Sequence, residues 1–344
     1  MATERLITIG SSGKNYTTLV AAEDGEDNTG DIVTSNEYVP FTCYDPADTG
    51  MLTITGWTTG ADNYISFVVN SAYRHIGVYD AAKAKIAFAN NYGYVITITE
   101  EFVRIDGLQV INSGTPNAGV IYGNQAGTGE IRINNCILAC SAGVSSDRRG
   151  VNLDDIASNN NVFKIWNNVI YNCQGGIWME YTTGTGHIFA IYNNTIIDSG
   201  AYAGIRIIDA VGDMSVYLKN NLIQGANTNY NVTAFTTRNY KTNLSEDATA
   251  PTTSPDTGTI NTAITFADEP GDNFGLVGTL PGTNLSTDAD GFINITTDIK
   301  GVTRNEWSIG AFEYVAAGGL SIPVAMQNMR GGFNPISMRG GFIN

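Results

Sequence analysis

An asparagine pair set between apolar residues recurs along the middle of the chain, and this repetition constrains the fold more than any other feature. Counted on their second residue, the pairs are 33, 26 and 27 residues apart and end at Asn135, Asn168, Asn194 and Asn221. Upstream, Gly107 takes the place of the pair. Because glycine and asparagine tolerate a left-handed backbone best, this column predicts a sharp bend between strands in every repeat. Asn243 is the expected last member.

A second column starts with glycine and alternates with a period of two. Its segments begin at Gly119, Gly150, Gly176 and Gly204, which are 31, 26 and 28 residues apart. In each segment the residues one and three positions after the glycine are apolar, whereas the residue between them varies. Such alternation directs one side of a strand to a core and the other side to solvent. The column therefore predicts a second strand in every repeat.

Two strands per repeat cannot bury their inner faces unless the repeats stack. Parallel stacking at about 4.8 Å produces a continuous apolar column. Leucine-rich repeats would need a regular leucine spacing, and a propeller would need an antiparallel hairpin in each blade; neither pattern is evident. We therefore predict an all-β fold, a single-stranded right-handed parallel β-helix (solenoid) with a short N-terminal capping helix and an irregular C-terminal wrap.

The ends of the chain differ from the repeats. Residues 16–23 (YTTLVAAE) predict a short helix with a threonine cap, which would cover the N-terminal end. Residues 246–290 are rich in Thr, Pro, Asp and Gly, which predicts long loops. The expected divisions are an N-terminal cap, the β-helix coils, a C-terminal wrap with a closing motif, and a flexible or docking tail, at 1–40, 41–245, 246–315 and 316–344.

Three features together resemble a known group of proteins. They are the opening segment 13–19 (GKNYTTL), the asparagine-pair coils, and the closing segment 298–304 (DIKGVTR) followed by 309–313 (IGAFE). The chain resembles the right-handed parallel β-helix proteins related in shape to pectate lyases, which occur in phage virions and bacterial surface proteins. The resemblance covers about residues 6–315, and Ser308 stands where the family's closing motif usually has Asp.

This resemblance specifies a fold and says almost nothing about activity. It implies that Arg304 and Glu313 form a charge-assisted pair that holds the last coil. Spikes with this fold are often trimers, so a homotrimer is a further expectation from the resemblance.

The net charge of −15 excludes one class of partner. A surface this acidic repels phosphate backbones, so nucleic acid is not an expected partner. Residues 288–291 (DADG) match only a fragment of a calcium loop, and the four cysteines fit no zinc spacing. We therefore predict no metal and no cofactor.

The sequence shows no targeting signal. No apolar run approaches the roughly 20 residues that a membrane helix needs. Residues 1–5 lack the basic and then apolar layout of a signal peptide. We expect a protein made in the host cytoplasm, without membrane insertion, that reaches a virion surface by assembly into a particle.

Enzymes with this fold carry recognisable residue sets, and most of their parts are missing here. A polygalacturonase-like hydrolase would resemble a set of Asn-x-Asp, Asp-Asp, Gly-His-Gly and Arg-x-Lys, of which we find Asp154–Asp155 but neither Gly-His-Gly nor Arg-x-Lys. A pectate-lyase-like enzyme would need a basic residue near acidic calcium ligands; Arg148 and Arg149 are available, but no matching acidic cluster is evident. The sequence favours a protein without catalytic activity.

One arrangement supports a different function. If the glycine column stacks in register, Asp154 and Glu180 lie on neighbouring coils, near the roughly 5–5.5 Å carboxyl separation of retaining glycosidases. Trp178, Arg206 and Asn152 would share that side of the sheet, and we call these three residues the candidate glycan face. The alternative is an ordinary polar sheet face, since a repeat stacks any residue in register.

Two cysteines fall at equivalent positions after the bend. Cys140 and Cys173 belong to a column of small residues, and neighbouring coils at about 4.8 Å would bring them within disulfide reach. Buried free thiols are the other interpretation.

The last 30 residues differ in character from the rest. Residues 315–344 contain no Asp or Glu and two Arg, and the segment MRGGF occurs twice with an offset of nine. A short basic segment with Met and Phe is suited to docking along another subunit. A disordered end is the alternative. The predicted docking residues are Met329, Arg330, Phe333, Met338, Arg339 and Phe342.

The leading hypothesis is a non-enzymatic virion structural protein displayed on a particle surface as a phage head decoration, fibre or spike. Its tail would anchor it to other virion or capsid subunits. The alternative is a spike that binds or degrades polysaccharide, with a cell-surface glycan as its partner and Asp154 and Glu180 as catalytic candidates. A surface adhesin is a third interpretation.

Overall fold

The described chain forms a right-handed parallel β-helix, which confirms the predicted fold class. The computed structural model describes residues 1–27, 30–45, 47–89, 93–114, 118–125, 127–140, 148–154, 156, 159–179, 184–197, 200, 202–208, 213–233, 236–251, 260–278, 292–305 and 307–314. In these residues the strands form three parallel sheets and one antiparallel pair.

The first sheet contains ten strands and the second contains nine. The strands of the ten-strand sheet are Thr3–Glu4, Ile7–Ile9, Glu37–Cys43, Ile65–Val69, Phe102–Asp106, Glu130–Asn134, Val162–Trp166, Ile188–Tyr192, Ser215–Lys219 and Thr237–Lys241. The strands of the nine-strand sheet are Ala47–Asp48, Lys85–Phe88, Gln109–Asn112, Ile137–Cys140, Val169–Tyr171, Thr195–Ile197, Leu222–Gln224, Leu244–Ser245 and Ile260–Asn261.

The third sheet contains seven strands, and successive coils contribute one strand to each sheet in turn. The strands of the seven-strand sheet are Leu52–Ile54, Gly93–Ile98, Ala118–Gly123, Arg149–Asn152, Gly175–Met179, Ala203–Ile208 and Thr228–Thr233. A complete coil therefore has three strands, and the expectation of two strands per repeat is wrong. The missed strands are those of the nine-strand sheet, most of which begin two residues after a bend and all of which are two to four residues long.

These short strands lack a period of two because the wrap covers their outer face. Val169–Tyr171 is buried at every position. The outward residues of this sheet pack against side chains from the C-terminal region, among them Phe274, Ile299 and Phe312. Strands buried on both faces read as continuous apolar runs, so alternation cannot reveal them.

The bend column exists, but its register differs from the prediction. In the bend column, successive coils each have a left-handed φ angle between 49° and 82°, at Gly107, Asn135, Asn167, Asn193, Asn220 and Thr242. Asn168, Asn194 and Asn221 were predicted to bend, and the bend instead lies at the preceding residue. The error comes from the first pair. Asn134 is the last residue of a strand and pairs with Trp166, so the bend in this pair lies at the second asparagine, whereas in the later pairs it lies at the first.

Asn168, Asn194, Asn221 and Asn243 form a ladder inside the solenoid. Each amide Oδ1 accepts from the backbone N–H one coil earlier, as in Asn168 N to Asn194 Oδ1 at 3.1 Å and Asn194 N to Asn221 Oδ1 at 3.1 Å. Asn243 closes the ladder through Asn221 N at 3.1 Å. Each Nδ2 also donates to a backbone carbonyl of the preceding coil, for example Asn194 to Ile165 at 2.9 Å. The ladder thus satisfies buried backbone groups where the strands turn.

The core is a column of apolar side chains that runs along the inside of the coils. Neighbouring coils stack like side chains, as Phe41 does on Phe67 at 4.9 Å and Phe163 on Phe189 at 4.8 Å between ring centroids. Nearly all of its members are shielded from solvent. In-register stacking therefore repeats one apolar layer along the rod.

A helix covers the N-terminal end, three residues later than predicted. It spans Leu19–Glu26, and the Oγ1 of Thr18 caps it by accepting from Ala21 N at 3.1 Å. Leu19 and Ala22 face the core. The strand Ile7–Ile9, in the region predicted as a cap, already pairs with Glu37–Cys43. Among the described residues, no helix has the length and apolar character needed to span a membrane.

The described part of the C-terminal region packs along the side of the rod. It includes the 3-10 turn Glu269–Gly271 and the antiparallel pair Phe266–Asp268 and Asn273–Leu276. Residues 292–295 pack on the ten-strand sheet at Ala190 and Tyr192, and 309–312 pack on the nine-strand sheet. Another short 3-10 turn is Ser71–Tyr73.

Candidate functional site

The structure places the three residues of the candidate glycan face on adjacent strands. Asn152 pairs with Trp178, and Trp178 pairs with Arg206, so the three stand in line on the outer side of the seven-strand sheet. Tyr122 continues this line on the preceding coil. The expected alignment of Gly119 with Gly150 is wrong by one residue, because Ile121 pairs with Val151.

Trp178 is not an open platform for a sugar ring. Its side chain is 4% exposed, and guanidinium groups from both neighbouring coils lie over the ring. The Cζ of Arg149 is 4.3 Å and that of Arg206 is 4.7 Å from the ring centroid. Tyr202 contacts the ring edge-on at 5.3 Å. Cation–π contacts with two arginines therefore occupy the surface that a sugar would need.

Asp154 is committed to an ion pair. Its carboxylate accepts from Nη1 of Arg149, and the residue is only 5% exposed. The same Nη1 lies 3.1 Å from Oδ1 of Asn152. Glu180, the second predicted carboxylate, lies outside the described residues. The described arrangement contains one neutralised carboxylate, which is suited to holding Arg149 over Trp178.

Two tyrosines complete this face. Nδ2 of Asn152 donates to the hydroxyl of Tyr94 at 2.6 Å, and the Tyr94 ring stacks on Tyr122 at 4.9 Å. Burial raises the pKa of Tyr94 to about 12, so it remains a neutral phenol at physiological pH. The face as a whole offers stacking and hydrogen bonding in a fixed geometry, with no free acid or base among the residues just named.

Both histidines of the chain are buried. His75 and His187 are 3% and 0% exposed, so neither is a surface residue. Burial, together with the neighbouring Arg74, lowers the pKa of His75 to about 3, and its Nδ1 accepts from Gly77 N at 3.1 Å. Within the described residues, no group of three or more His, Cys, Asp or Glu side chains could hold a metal ion.

A cavity of about 330 Å³ lies where the wrap crosses the bend column. Its lining includes Arg74, His75, Asn135 and residues 297–301. Arg74 is held by Asp106 at 2.5 Å, and the same Asp106 oxygen accepts from Asn135 Nδ2 at 2.9 Å. These contacts tie the loop after Ile65–Val69 to the bend, so the polar groups here serve the junction between the wrap and the coils.

The closing motif forms a clasp around a buried arginine, and we define the clasp as residues 298–305 and 307–313. Arg304 is 4% exposed and its Nη1 lies 3.6 Å from Oε2 of Glu313. Its Nη2 donates to Asn167 Oδ1 at 2.8 Å and to the Gly310 carbonyl at 2.9 Å. Burial lowers the pKa of Arg304 to about 10, which still leaves it charged at neutral pH.

Asp298 and Ser308 take part in the clasp in ways that sequence reasoning missed. Asp298 accepts from the backbone N–H groups of Lys300, Val302 and Glu313 at 2.8–2.9 Å. Ser308 stands where the related motif has Asp, and its Oγ accepts from Tyr314 N at 3.0 Å. The Asp-x-x-Gly spacing at 298–301 was a turn signal that could have identified Asp298.

The six predicted docking residues of the tail lie outside the described residues.

No protein-family model matches the chain, and no curated protein sequence matches it. The functional proposal therefore rests on the geometry of the described residues.

Proposed function

We propose that the chain is a non-enzymatic structural protein displayed on the surface of a particle, such as a phage virion, and anchored there by its C-terminal tail. It would serve as a head decoration, fibre or spike. The observation that carries the proposal is the clasp, which fixes the last described segment to the side of a rigid rod directly before the tail begins.

The clasp joins the segment to three successive coils. Arg304 donates to Asn167, Ala311 N donates to Thr195 Oγ1 at 2.9 Å, and Gly310 N donates to the Asn220 carbonyl at 2.7 Å. A pull on the tail would therefore be distributed over the rod rather than unravel its end. An anchored surface protein needs this mechanical connection.

The rod itself supports a display role. Its asparagine ladder and stacked core join each coil to the next, so the structure resists bending between coils. Two described side chains that suggested a glycan site are engaged elsewhere: Asp154, a catalytic candidate, with Arg149, and Trp178, of the candidate glycan face, with two guanidiniums. These contacts favour the structural proposal over the polysaccharide-degrading alternative.

The decisive experiment is co-sedimentation with purified particles or capsid shells. We expect the full chain to sediment with the particles and a chain lacking residues 316–344 to remain in the supernatant. A variant with Phe333→Ser and Phe342→Ser should bind weakly, because it removes the repeated aromatic residues and keeps the length. Lys83→Ala, a change on the rod surface, is the matched control and should bind like wild type.

Two outcomes would contradict the proposal. Binding that survives removal of 316–344 would show that the tail is not the anchor. Absence of binding by the full chain would argue against a particle component, and glycan-cleavage screening would then take priority.

A further inference from the structure

The cavity where the wrap crosses the bend column contains a buried donor that meets no described acceptor. His75 lines this cavity and is 3% exposed. Its Nδ1 accepts from Gly77 N at 3.1 Å, so in the neutral ring the proton lies on Nε2. No acceptor among the described residues meets Nε2 with hydrogen-bond geometry. A buried N–H without a partner is unfavourable, so the cavity favours an occupant that accepts a hydrogen bond.

The ring of His75 remains neutral at physiological pH. Burial and the neighbouring Arg74 lower the pKa of His75 to about 3, and the backbone of Asn135 opposes them only in part. Nε2 is therefore a neutral N–H donor, while Nδ1 stays committed to Gly77.

The carboxylates at this junction are already engaged. Asp298 lines the cavity, and its two oxygens accept from three backbone N–H groups at 2.8–2.9 Å. Oδ1 of Asp106 accepts from Arg74 at 2.5 Å and from Asn135 Nδ2 at 2.9 Å. A ligand that donates hydrogen bonds would find these oxygens occupied. The cavity is therefore better suited to a ligand that accepts them.

Lys300 adds a positive charge to the wall of the cavity. It lines the cavity, is exposed, and makes no ion pair with a described carboxylate. Its Nζ lies 5.0 Å from the ring centroid of Phe312, a contact that uses no hydrogen-bond acceptor. A cation and a neutral N–H donor in one cavity favour an acceptor that carries negative charge.

The size and the apolar wall of the cavity favour an organic molecule. Its volume of about 330 Å³ is at the lower end of the range for small-molecule pockets. A single water or inorganic ion would fill only a small part of this space. Ile299, which is 1% exposed, and Ile76 supply apolar surface.

We propose that this cavity binds a small organic carboxylate with a short apolar body. The carboxylate would accept from His75 Nε2, Lys300 would supply the opposite charge, and the apolar body would contact Ile76 and Ile299. His75 belongs to the loop after Ile65–Val69 and Lys300 to the clasp, so the ligand would bridge the coils and the wrap. The proposal is independent of the tail anchor and can be tested on the isolated protein.

Benzoate and benzyl alcohol form the first test, because they share a ring and differ in the carboxylate. By isothermal titration calorimetry at low salt, the full-length protein should bind benzoate, and benzyl alcohol should bind at least about tenfold more weakly. Saturating benzoate should also raise the thermal unfolding midpoint, since the ligand binds the folded state.

NMR with ¹⁵N-labelled histidine locates the binding. The chain has only two histidines, so both rings are resolved. Benzoate should shift the Nε2 resonance of His75 and leave the resonances of His187, which lies elsewhere in the coils, unchanged.

Two variants test the roles of the side chains. Lys300→Gln should weaken benzoate binding about fivefold. His75→Phe keeps a ring, removes the donor and should weaken binding at least about tenfold. Lys241→Gln, on the last strand of the ten-strand sheet, is the matched control and should leave the affinity unchanged. If His75→Phe fails to fold, Lys300→Gln at its exposed position still decides the question.

Four outcomes would overturn the proposal. The first is that neither benzoate nor hexanoate binds at about 10 mM. The second is that benzyl alcohol or inorganic phosphate binds as tightly as benzoate. The third is that benzoate binds without shifting His75 Nε2. The fourth is that Lys300→Gln and Lys241→Gln have equal affinity for benzoate.

Discussion

At the scale of single residues, asparagine has two different structural roles at adjacent positions. Asn193 adopts a left-handed φ of 53° and turns the chain, whereas Asn194 points inward and is fully buried. Residues that bend can be exchanged for glycine in principle, as Gly107 illustrates. Ladder residues cannot be exchanged in this way. Their side-chain amides form hydrogen bonds with buried backbone groups, and neither glycine nor an apolar side chain can form those bonds.

Replacing Asn194 by alanine should lower the free energy of unfolding by roughly 2–4 kcal/mol. The change removes the acceptor of Asn168 N and the donor to the Ile165 carbonyl, and both groups stay buried. Urea unfolding measures the loss. Asn305→Ala, at an exposed asparagine, is the control and should change stability little. An unchanged midpoint for Asn194→Ala would mean that the ladder adds nothing to stability.

At the scale of elements, the N-terminal helix is attached through buried acids. Oε1 of Glu23 accepts from Trp57 Nε1 at 3.1 Å and from Thr55 N at 2.9 Å. Asp48 accepts from the first helical N–H, Leu19 N, at 2.5 Å. Glu100 accepts from Trp57 N at 3.1 Å. The helix thus docks on the first coils through the buried carboxylates of Glu23 and Asp48.

Stability should fall as the pH rises from about 4.5 to about 7, because of Glu23. Burial raises its pKa from 4.5 to about 7, with the nearby Asp24 and Asp27 acting in the same direction. A raised carboxyl pKa means that the folded state favours the neutral form. The resulting stability is complete below the unfolded value and is lost as the pH passes through the folded value.

Urea unfolding at pH 5 and pH 8 tests this effect in wild type and in Glu23→Gln. The variant should lose most of the pH dependence, and the remainder should follow Glu100, whose pKa burial also raises. Equal pH dependence in both proteins would contradict the assignment to Glu23.

The coils of the nine-strand sheet bring two thiols together. The Sγ atoms of Cys140 and Cys173 are 2.6 Å apart, and both residues are buried. The predicted proximity is therefore confirmed, and both cysteines are thiols in this structure. Cys43 and Cys136 are also free and buried.

Equilibration with oxidised glutathione should join Cys140 to Cys173, with loss of one hydrogen atom from each thiol and reduction of the glutathione disulfide. Peptide mapping after alkylation in denaturant should show this single cross-link, with Cys43 and Cys136 alkylated. Burial raises the pKa of Cys173, so the reaction should be slow at neutral pH. A cross-link to Cys43 or Cys136, or none at all, would contradict this expectation.

At the scale of the whole molecule, the clasp converts a stack of coils into a closed unit. The C-terminal region covers the nine-strand sheet and part of the ten-strand sheet, and its side chains are buried there. Arg304 joins this cover to the bend column through Asn167.

Arg304→Met should lower the free energy of unfolding by roughly 3–5 kcal/mol, because it leaves Glu313 buried without its cation. Combining it with Glu313→Gln should recover part of this loss, since the second change removes the uncompensated charge. Urea unfolding gives the energies, and limited proteolysis should show earlier cleavage within 292–314 in the single variant. A double variant less stable than Arg304→Met would contradict a charge-based role.

The period, the parallel stacking and the capping helix were predictable from the sequence, because they depend on residue types and their spacing along the chain. The asparagine pairs marked the bend column to within one residue, and the closing motif identified Arg304 and Glu313. All of these signals are local, so they can be read without knowing which coils meet.

Tertiary structure decided the remaining features. The nine-strand sheet was not predicted, because the wrap buries its outer face. Its strands therefore lack the alternation of apolar and polar residues that indicates a strand. The inward turn of Asn168, Asn194 and Asn221 depends on a one-residue register between coils. Trp178 seemed available from its strand position, yet guanidiniums from the coils on either side cover it. Each of these properties arises from contacts between residues that are distant in the chain, and a repeat pattern carries no record of such contacts.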